Sequence, residues 1–260
     1  MSLGSVLAHA APLVAVYLLL GWLASVRLRD ASIVDVMWGP GFVLVALVAA
    51  RLGTGEPARR LLVVLLVGVW GLRLALHIFA RNRGKGEDYR YRAMRERRGP
   101  RFVWLSAFTV FGLQGALLLF IAMPLAAAAL PGAPFPGLFD IAGAALFTAG
   151  FLCEAAADAQ LARFKADPAN RGRVCDVGLW RYSRHPNYFG DAVLWWGLYL
   201  IACAVPAGAL TLASPLLMTV LLLKVSGVAL LERGLAASKP GYADYIARTS
   251  VFVPWFPRRR

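Results

Sequence analysis

The sequence predicts an all-α membrane protein with seven transmembrane helices. Of its 260 residues, 59% are hydrophobic and only 16% are charged, whereas a soluble domain usually carries about 25% charged residues. The apolar residues occur in runs long enough to cross a bilayer, unlike the short runs of a buried core. The basic residues lie mainly between these runs. We therefore treat residues 1–260 as one integral membrane domain.

Each apolar run predicts one helix. The first follows no basic segment, so we expect a retained span and not a cleaved signal peptide. The fourth is longer than a bilayer requires and contains Pro124, which predicts a tilt or a kink. The last two are separated only by a short turn near Pro206 and Gly208, and this predicts a helical hairpin. The predicted spans are 6–26, 33–51, 61–80, 102–130, 138–161, 190–206 and 208–231.

The distribution of Lys and Arg predicts the orientation. Residues 81–101 contain nine, 162–189 contain six and 232–260 contain six, together 21 of the 28 in the chain. Seven spans place these segments on one side, which the positive-inside rule makes cytoplasmic. The N-terminus is then outside and the C-terminus cytoplasmic. Arg59 and Arg60 are a mild exception. The same clustering argues against nucleic acid as the partner of a chain with net charge +14.

Common soluble-enzyme motifs are absent from the sequence. It contains no GxGxxG or GxxxxGK[ST] motif, so a bound nucleotide would not lie in a Rossmann or P-loop domain. The histidines are too dispersed for a metal site, and the cysteines have no CxxC spacing, so we expect neither a metal nor disulfides. These residues are His9, His77, His185, Cys153, Cys175 and Cys203.

The polar segment LWRYSRHPNYFGD at 179–191 lies between two apolar runs. Polar and ionisable groups at a membrane boundary are costly unless they bind something. Arginine and amide donors suit phosphate oxygens. The segment therefore predicts a phosphate-bearing cofactor at the cytoplasmic end.

Three of the carboxylates inside predicted spans are candidate functional groups: Asp35, Glu154 and Asp158. Asp35 either caps the start of its helix, where the dipole favours an acid, or is a functional acid. Glu154 and Asp158 are four residues apart and share one helix face. Either a neighbouring arginine or a ligand with hydroxyl or amide groups would stabilise this pair.

Two basic segments leave alternatives open. In 81–101 most arginines are expected to be solvated or to contact lipid head groups. Tyr91 could instead act as a proton donor held by a carboxylate, although Tyr89 and Tyr91 could also be interfacial aromatic residues. At the C-terminus, Tyr242 and Tyr245 share a face if helical, which also suits an amphipathic interfacial helix.

The chain resembles the steroid 5α-reductase family, and most closely the bacterial branch of that family. The resemblance is carried by LWRYSRHPNYFGD, by DVMWG at 35–39 and by GKGEDYRY at 84–91. It covers most of the chain after Asp35. The wider superfamily also contains sterol reductases and isoprenylcysteine carboxyl methyltransferases. The resemblance implies a multi-pass enzyme, expected in a bacterial inner membrane, that holds NADPH among its last three spans. It also implies that 1–130 contains mainly substrate-side helices and that 131–260 is mainly a cofactor-binding half.

The resemblance also implies site residues. Asp35 and Tyr91 match the pair that polarises the substrate, with Tyr89 as the neighbouring alternative donor. Glu154 stands where eukaryotic relatives have an amide. The residues implied for cofactor binding are Glu154, Asp158, Lys165, Arg173, Leu179, Trp180, Arg184, His185, Asn187, Tyr188, Asp191, Glu232, Tyr242, Tyr245 and Arg248.

The resemblance implies reduction of the carbon–carbon double bond of a 3-oxo-Δ4 steroid or another lipophilic enone. A tyrosine hydroxyl can stabilise the negative charge that hydride addition leaves on the carbonyl oxygen. Lys165 and Arg173 favour NADPH over NADH. Two alternatives are an S-adenosylmethionine-dependent methyltransferase of the same superfamily and a non-enzymatic protein that binds anionic lipid. The expected partners are the lipophilic substrate and membrane lipid, and we expect a monomer.

Overall fold

The computed structural model describes residues 1–225, 228, 232 and 240–258. Within them the structure is all helical, with no strand and one isolated parallel bridge between Ser183 and Ser250. The α-helices are α1 Leu3–Leu28, α2 Ile33–Leu52, α3 Pro57–Asn82, α4 Tyr89–Arg98, α5 Phe102–Ser106, α6 Leu113–Ile121, α7 Met123–Ala127, α8 Leu138–Ala166, α9 Pro186–Ala202, α10 Ala213–Val220 and α11 Tyr242–Arg248.

The protein is a multi-pass membrane protein. Among the described residues, six helical segments are long and apolar enough to cross a bilayer: Leu3–Leu28, Ile33–Leu52, Pro57–Asn82, Tyr89–Ile121, Leu138–Ala166 and Pro206–Val225. Large apolar side chains such as Leu20, Leu76 and Phe108 are exposed on these helices. Such apolar surfaces are stable when they contact the lipid tails of a bilayer. The α9 helix has 17 residues, at the lower end of the length that crosses a bilayer.

The fourth predicted span, 102–130, needs correction. Helical structure begins 13 residues earlier, at Tyr89, because the Asp88 carboxylate accepts the Arg90 N–H at 3.0 Å and caps the helix start. It continues through a 3₁₀ turn at Gly99–Arg101 and a π-helical turn at Ala107–Gly112. It ends at Ile121, and the short helix α7 begins at Met123 with Pro124 in its first turn. The kink predicted at Pro124 therefore lies beside an interruption between two helices, since proline cannot continue the helical hydrogen bonds.

The last two predicted spans are displaced. The sixth, expected at 190–206, forms at Pro186–Ala202, because proline at the first helical position is already set for a helix. The turn near Pro206 and Gly208 is a 3₁₀ helix, Pro206–Thr211. The seventh span follows to Val225, and its predicted remainder at 226, 227 and 229–231 lies outside the described residues. Trp196 Nε1 donates to Thr219 Oγ1 at 3.3 Å, as the predicted hairpin requires.

The chain forms two compact units, Met1–Asp140 with Ala202–Ser214, and Ile141–Ile201 with Pro215–Arg260. In the N-terminal unit, α2 packs closely against α1 and α3. A Cβ atom at Gly39 would lie 2.0 Å from the Gly71 carbonyl oxygen, so these two glycines allow the α2 and α3 backbones to touch. Phe42 and Trp70 pack beside this contact with ring centroids 5.8 Å apart.

Contacts within the protein explain why Arg59 and Arg60 do not follow the positive-inside rule. Arg59 is fully buried and donates to Asp140 Oδ1 at 2.7 Å, to Asp140 Oδ2 at 3.0 Å and to the Ala133 carbonyl at 2.8 Å. Arg60 donates to the carbonyl oxygens of Ala50 and Gly53, each at 2.8 Å. Both arginines therefore stabilise the loops of this unit, and they are weak indicators of the orientation of the protein in the membrane.

In the C-terminal unit, α8 and α9 approach through glycines spaced seven apart on each helix. A Cβ atom at Gly150 would lie 2.5 Å from the Leu194 nitrogen, and one at Gly190 would lie 2.5 Å from the Glu154 nitrogen. Gly143 and Gly197 form an equivalent contact. Small residues at such positions allow membrane helices to pack backbone against backbone. This contact places the start of α9, which carries the HPNYFG motif, beside the C-terminal half of α8, which carries Glu154 and Asp158.

Candidate functional site

Asp35 and Tyr91 form the central pair of the N-terminal unit. The Tyr91 hydroxyl donates to Asp35 Oδ1 at 2.7 Å, and Tyr91 is only 6% exposed. Asp35 lies in the first turn of α2 and Tyr91 in the first turn of α4. The structure thus brings together two residues 56 positions apart. Their catalytic role stays a prediction.

The loop before α4 is anchored to the start of α2, which fixes this pair. The Ala31 N–H donates to Glu87 Oε1 at 2.8 Å, and the Asp88 N–H donates to Ser32 Oγ at 3.2 Å. Arg95 binds the Glu87 carboxylate through two hydrogen bonds of 2.8 and 2.9 Å. Burial alone would raise the pKa of Glu87, but these hydrogen bonds hold the pKa of the Glu87 carboxyl below its usual value.

Three residues that were not predicted as site residues from the sequence surround the Asp35–Tyr91 pair. Arg90 Nη2 donates to Asp35 Oδ2 at 2.7 Å. Gln114 Nε2 lies 3.4 Å from the Tyr91 oxygen, and Trp38 Nε1 donates to Gln114 Oε1. Because the Gln114 amide oxygen accepts the hydrogen bond from Trp38, the Gln114 amide N–H₂ faces Tyr91. An amide inside an apolar span is itself a signal of function, and it could have identified Gln114.

Tyr89 and Tyr91 have different environments. Tyr89 is 59% exposed, which fits an interfacial aromatic residue. The two tyrosines are two residues apart within one turn of α4, so they lie on different faces of the helix, one exposed and one buried. Of the two candidate donors, the geometry supports Tyr91.

The HPNYFG segment occupies the start of α9 in the C-terminal unit. Asn187 Nδ2 donates to Asp158 Oδ1 at 3.1 Å, across the α8–α9 contact. The Asn187 Oδ1 atom is buried and has no hydrogen-bond partner among the described residues. Glu154 and Asp158 are both buried, as are His185 and Arg184. The structure thus gathers the core of the predicted cofactor set in one place.

Arg184 and His185 converge on Glu232. Arg184 Nε donates to Glu232 Oε1 at 2.6 Å, and Arg184 Nη1 donates to the carbonyl oxygens of Ile246 and Thr249. His185 Nε2 lies 3.2 Å from the same Glu232 oxygen. Burial lowers the pKa of His185, and this effect outweighs the opposing effect of Glu232. His185 also stacks on Tyr188 at 5.7 Å.

Other predicted cofactor residues hold the 178–185 loop. Trp180 Nε1 donates to the Ala157 carbonyl at 3.0 Å, and the Tyr245 hydroxyl donates to the Trp180 carbonyl at 2.5 Å. The Leu179 N–H donates to Gln160 Oε1 at 2.9 Å, a partner that the sequence did not indicate. Burial raises the pKa of Tyr242, the neighbour of Tyr245 on α11, to about 12. These contacts order the loop, and any contact with a cofactor stays a prediction.

The remaining predicted residues lie at the edge of this cluster. Lys165 and Arg173 are exposed, on the end of α8 and the loop that follows it. Asp191 is half-buried, one turn after Asn187 on α9. Arg248 pairs with Asp176 at 2.7 Å, and both side chains are exposed. Among the described residues, no group of three or more potential ligands could hold a metal ion.

Comparison with known proteins identifies relatives without a characterised activity. Residues 21–249 match the family DUF1295, whose description is "Protein of unknown function". The uncharacterized protein C594.04c of Schizosaccharomyces pombe is 29% identical over 206 residues, which is 69% of this chain. The match spans only 59% of the length of that yeast protein. No solved structure matches the chain.

Proposed function

Since this chain belongs to the DUF1295 family, which includes steroid 5-alpha-reductase-like membrane proteins, we propose that it is an NADPH-dependent reductase of a lipophilic enone. The substrate class is a 3-oxo-Δ4 steroid or a related lipid. The observation that carries the proposal is the buried Tyr91 hydroxyl held by Asp35 at 2.7 Å. Such a donor suits a carbonyl oxygen that gains negative charge during the reaction.

The C-terminal unit fits the cofactor. The buried Asn187 Oδ1 lacks a donor within the described chain, and a ribose hydroxyl or a carboxamide N–H₂ would supply one. Asn187 and Asp158 would hold these groups, and the exposed cations Lys165 and Arg173 would bind phosphate. When bound, NADPH supplies the hydride. The density of cations favours this dinucleotide over S-adenosylmethionine, which carries no phosphate.

The N-terminal unit would polarise the substrate. The Tyr91 hydroxyl has one proton, and in the structure it points to Asp35. This proton can be donated to a substrate carbonyl instead only if the Asp35 carboxylate and the Tyr91 oxygen each accept a hydrogen bond from another donor. Arg90 provides one to Asp35 at 2.7 Å, and Gln114 provides one to Tyr91 at 3.4 Å. Arg90 and Gln114 are therefore positioning residues, and they leave Tyr91 able to stabilise the enolate oxygen as hydride adds to the double bond.

The cofactor assignment is tested by titration. We expect NADPH to quench tryptophan or tyrosine fluorescence in detergent at lower concentration than NADH, and S-adenosylmethionine to have no effect. Asn187→Ala should weaken NADPH binding about tenfold, roughly the contribution of one hydrogen bond. Asn170→Ala is the matched control, since its amide bonds only the neighbouring Phe164 carbonyl and Asp167. An Asn187→Ala protein that aggregates would mean that this amide serves folding.

We also propose seven spans, with α9 as the additional one, and a cytoplasmic C-terminus. The three basic segments at 81–101, 162–189 and 232–260 support this orientation. A reporter fused after Arg260 should be active only when its readout is cytoplasmic. A periplasmic reporter such as an alkaline phosphatase that is active at this site would contradict the seven-span count.

A further inference from the structure

A groove of about 840 Å³ lies within the C-terminal unit, apart from the Asn187–Asp158 pair. One wall is the loop that carries Asp176 and Arg181. The other is the end of α11 with the C-terminal segment, which contributes Arg248, Phe256 and Arg258. The loop joins the end of α8 to the start of α9, so the groove lies where helices leave the bilayer.

The walls of this groove are ordered by the chain itself. The Trp255 N–H donates to the Tyr182 carbonyl at 2.9 Å, and the Arg258 N–H donates to the Arg248 carbonyl at 3.0 Å. The Phe256 ring packs edge-on against Tyr182, with centroids 6.1 Å apart. The C-terminal segment is therefore fixed beside the loop, and the groove is a built feature of the unit.

The charge of the groove is positive. Arg248 is neutralised by Asp176 at 2.7 Å. The side chains of Arg181 and Arg258 make no hydrogen bond or ion pair within the part of the chain that the structure describes. Two guanidinium groups thus face one groove with a surplus charge of two. Guanidinium groups bind phosphate oxygens through paired hydrogen bonds.

The rim of the groove is apolar and exposed. Phe256 is 77% exposed and Trp255 is 69% exposed, and Val177 and Val253 are exposed beside them. Aromatic side chains at the end of membrane helices characteristically lie at the level of the lipid head groups. A soluble anion would leave this apolar surface in water, whereas a phospholipid would cover it with its glycerol and acyl chains.

We propose that this groove binds the head group of an anionic phospholipid. Arg181 and Arg258 hold the phosphate, and Trp255 and Phe256 pack on the upper part of the acyl chains. Basic pockets beside membrane helices recognise lipid head groups in this way. The two side chains proposed to hold the phosphate, Arg181 and Arg258, are not among the residues proposed for reduction. Arg248, at the edge of the groove, is shared with the set implied for cofactor binding.

The test compares lipids on the full-length protein. With phosphatidylglycerol added in detergent, the unfolding temperature should rise and phosphatidylglycerol should be retained through purification, because a ligand that binds only the folded state stabilises it. Phosphatidylcholine and inorganic phosphate should have much smaller effects. Arg181→Gln/Arg258→Gln should bind phosphatidylglycerol about 100-fold more weakly, about tenfold for each guanidinium removed.

The control is Arg163→Gln/Arg171→Gln, which removes the same charge from exposed positions outside the groove and should bind like the parent. Arg258→Gln alone provides a second variant, which is expected to fold like the parent because Arg258 is exposed. Equal binding by the groove and control variants would overturn the proposal. Equal stabilisation by inorganic phosphate would mean a simple anion site. Release of bound phosphatidylglycerol by NADPH would assign the groove to the cofactor.

Discussion

Replacing Tyr91 with Phe is expected to lower the rate of enone reduction about 10²–10³-fold, the usual effect of removing one hydrogen-bond donor to a developing oxyanion. The loss should be in turnover, because the hydroxyl contributes most when charge develops on the carbonyl oxygen. NADPH affinity should not change, since the residues proposed to bind it lie in the other unit. The measurement is turnover of a 3-oxo-Δ4 steroid with NADPH, together with a fluorescence titration of the cofactor.

Tyr89→Phe is the matched control. Tyr89 is exposed and two positions away in α4, so this variant should turn over like the parent. Asp35→Asn should show a smaller loss than Tyr91→Phe, because the amide oxygen can still accept the tyrosine hydrogen bond although Arg90 loses its ionic partner. A silent Tyr91→Phe with an impaired Tyr89→Phe would move the donor to Tyr89. If neither variant changes the rate, this segment serves only as a surface anchor.

Replacing Asp140 with Ala is expected to reduce the free energy of unfolding by about 3–5 kcal/mol, the typical result of breaking a buried ion pair. The guanidinium of Arg59 would remain fully buried with its carboxylate removed. The Gly137 N–H, which donates to Asp140 Oδ2 at 2.9 Å, would also lose its acceptor. Chemical or thermal unfolding in detergent measures this change.

Two further variants identify the cause of that loss. Asp176→Ala breaks the exposed pair with Arg248 and should cost at most about 1 kcal/mol. Arg59→Met/Asp140→Leu replaces both buried charges with apolar groups and should recover much of the stability lost in Asp140→Ala. If Asp140→Ala unfolds like the Asp176→Ala control, the buried pair contributes little. In that case Arg59 must be stabilised mainly by the Ala133 carbonyl.

The candidate site was predictable only in part. The HPNYFG segment and the carboxylates of the fifth predicted span stood out because polar groups are rare within apolar runs. That Asn187 meets Asp158 depends on the close contact of α8 and α9, which follows from which glycines face each other. Arg90 was missed because its importance comes from the orientation of neighbouring side chains. Gln114 was also missed, although an amide inside an apolar span is a signal of function that the sequence carries.

The sequence by itself determined the class of the protein and most of its helices. Span length and apolar composition can be read directly along the sequence, and so can the kink predicted at Pro124, which lies at the start of α7. Only the tertiary structure decided which polar groups meet. It joined Arg59 to Asp140 across 81 positions and selected buried Tyr91 over exposed Tyr89 as the partner of Asp35. The physical reason is that such contacts depend on the rotation and close approach of helices, which hydropathy and residue spacing do not specify.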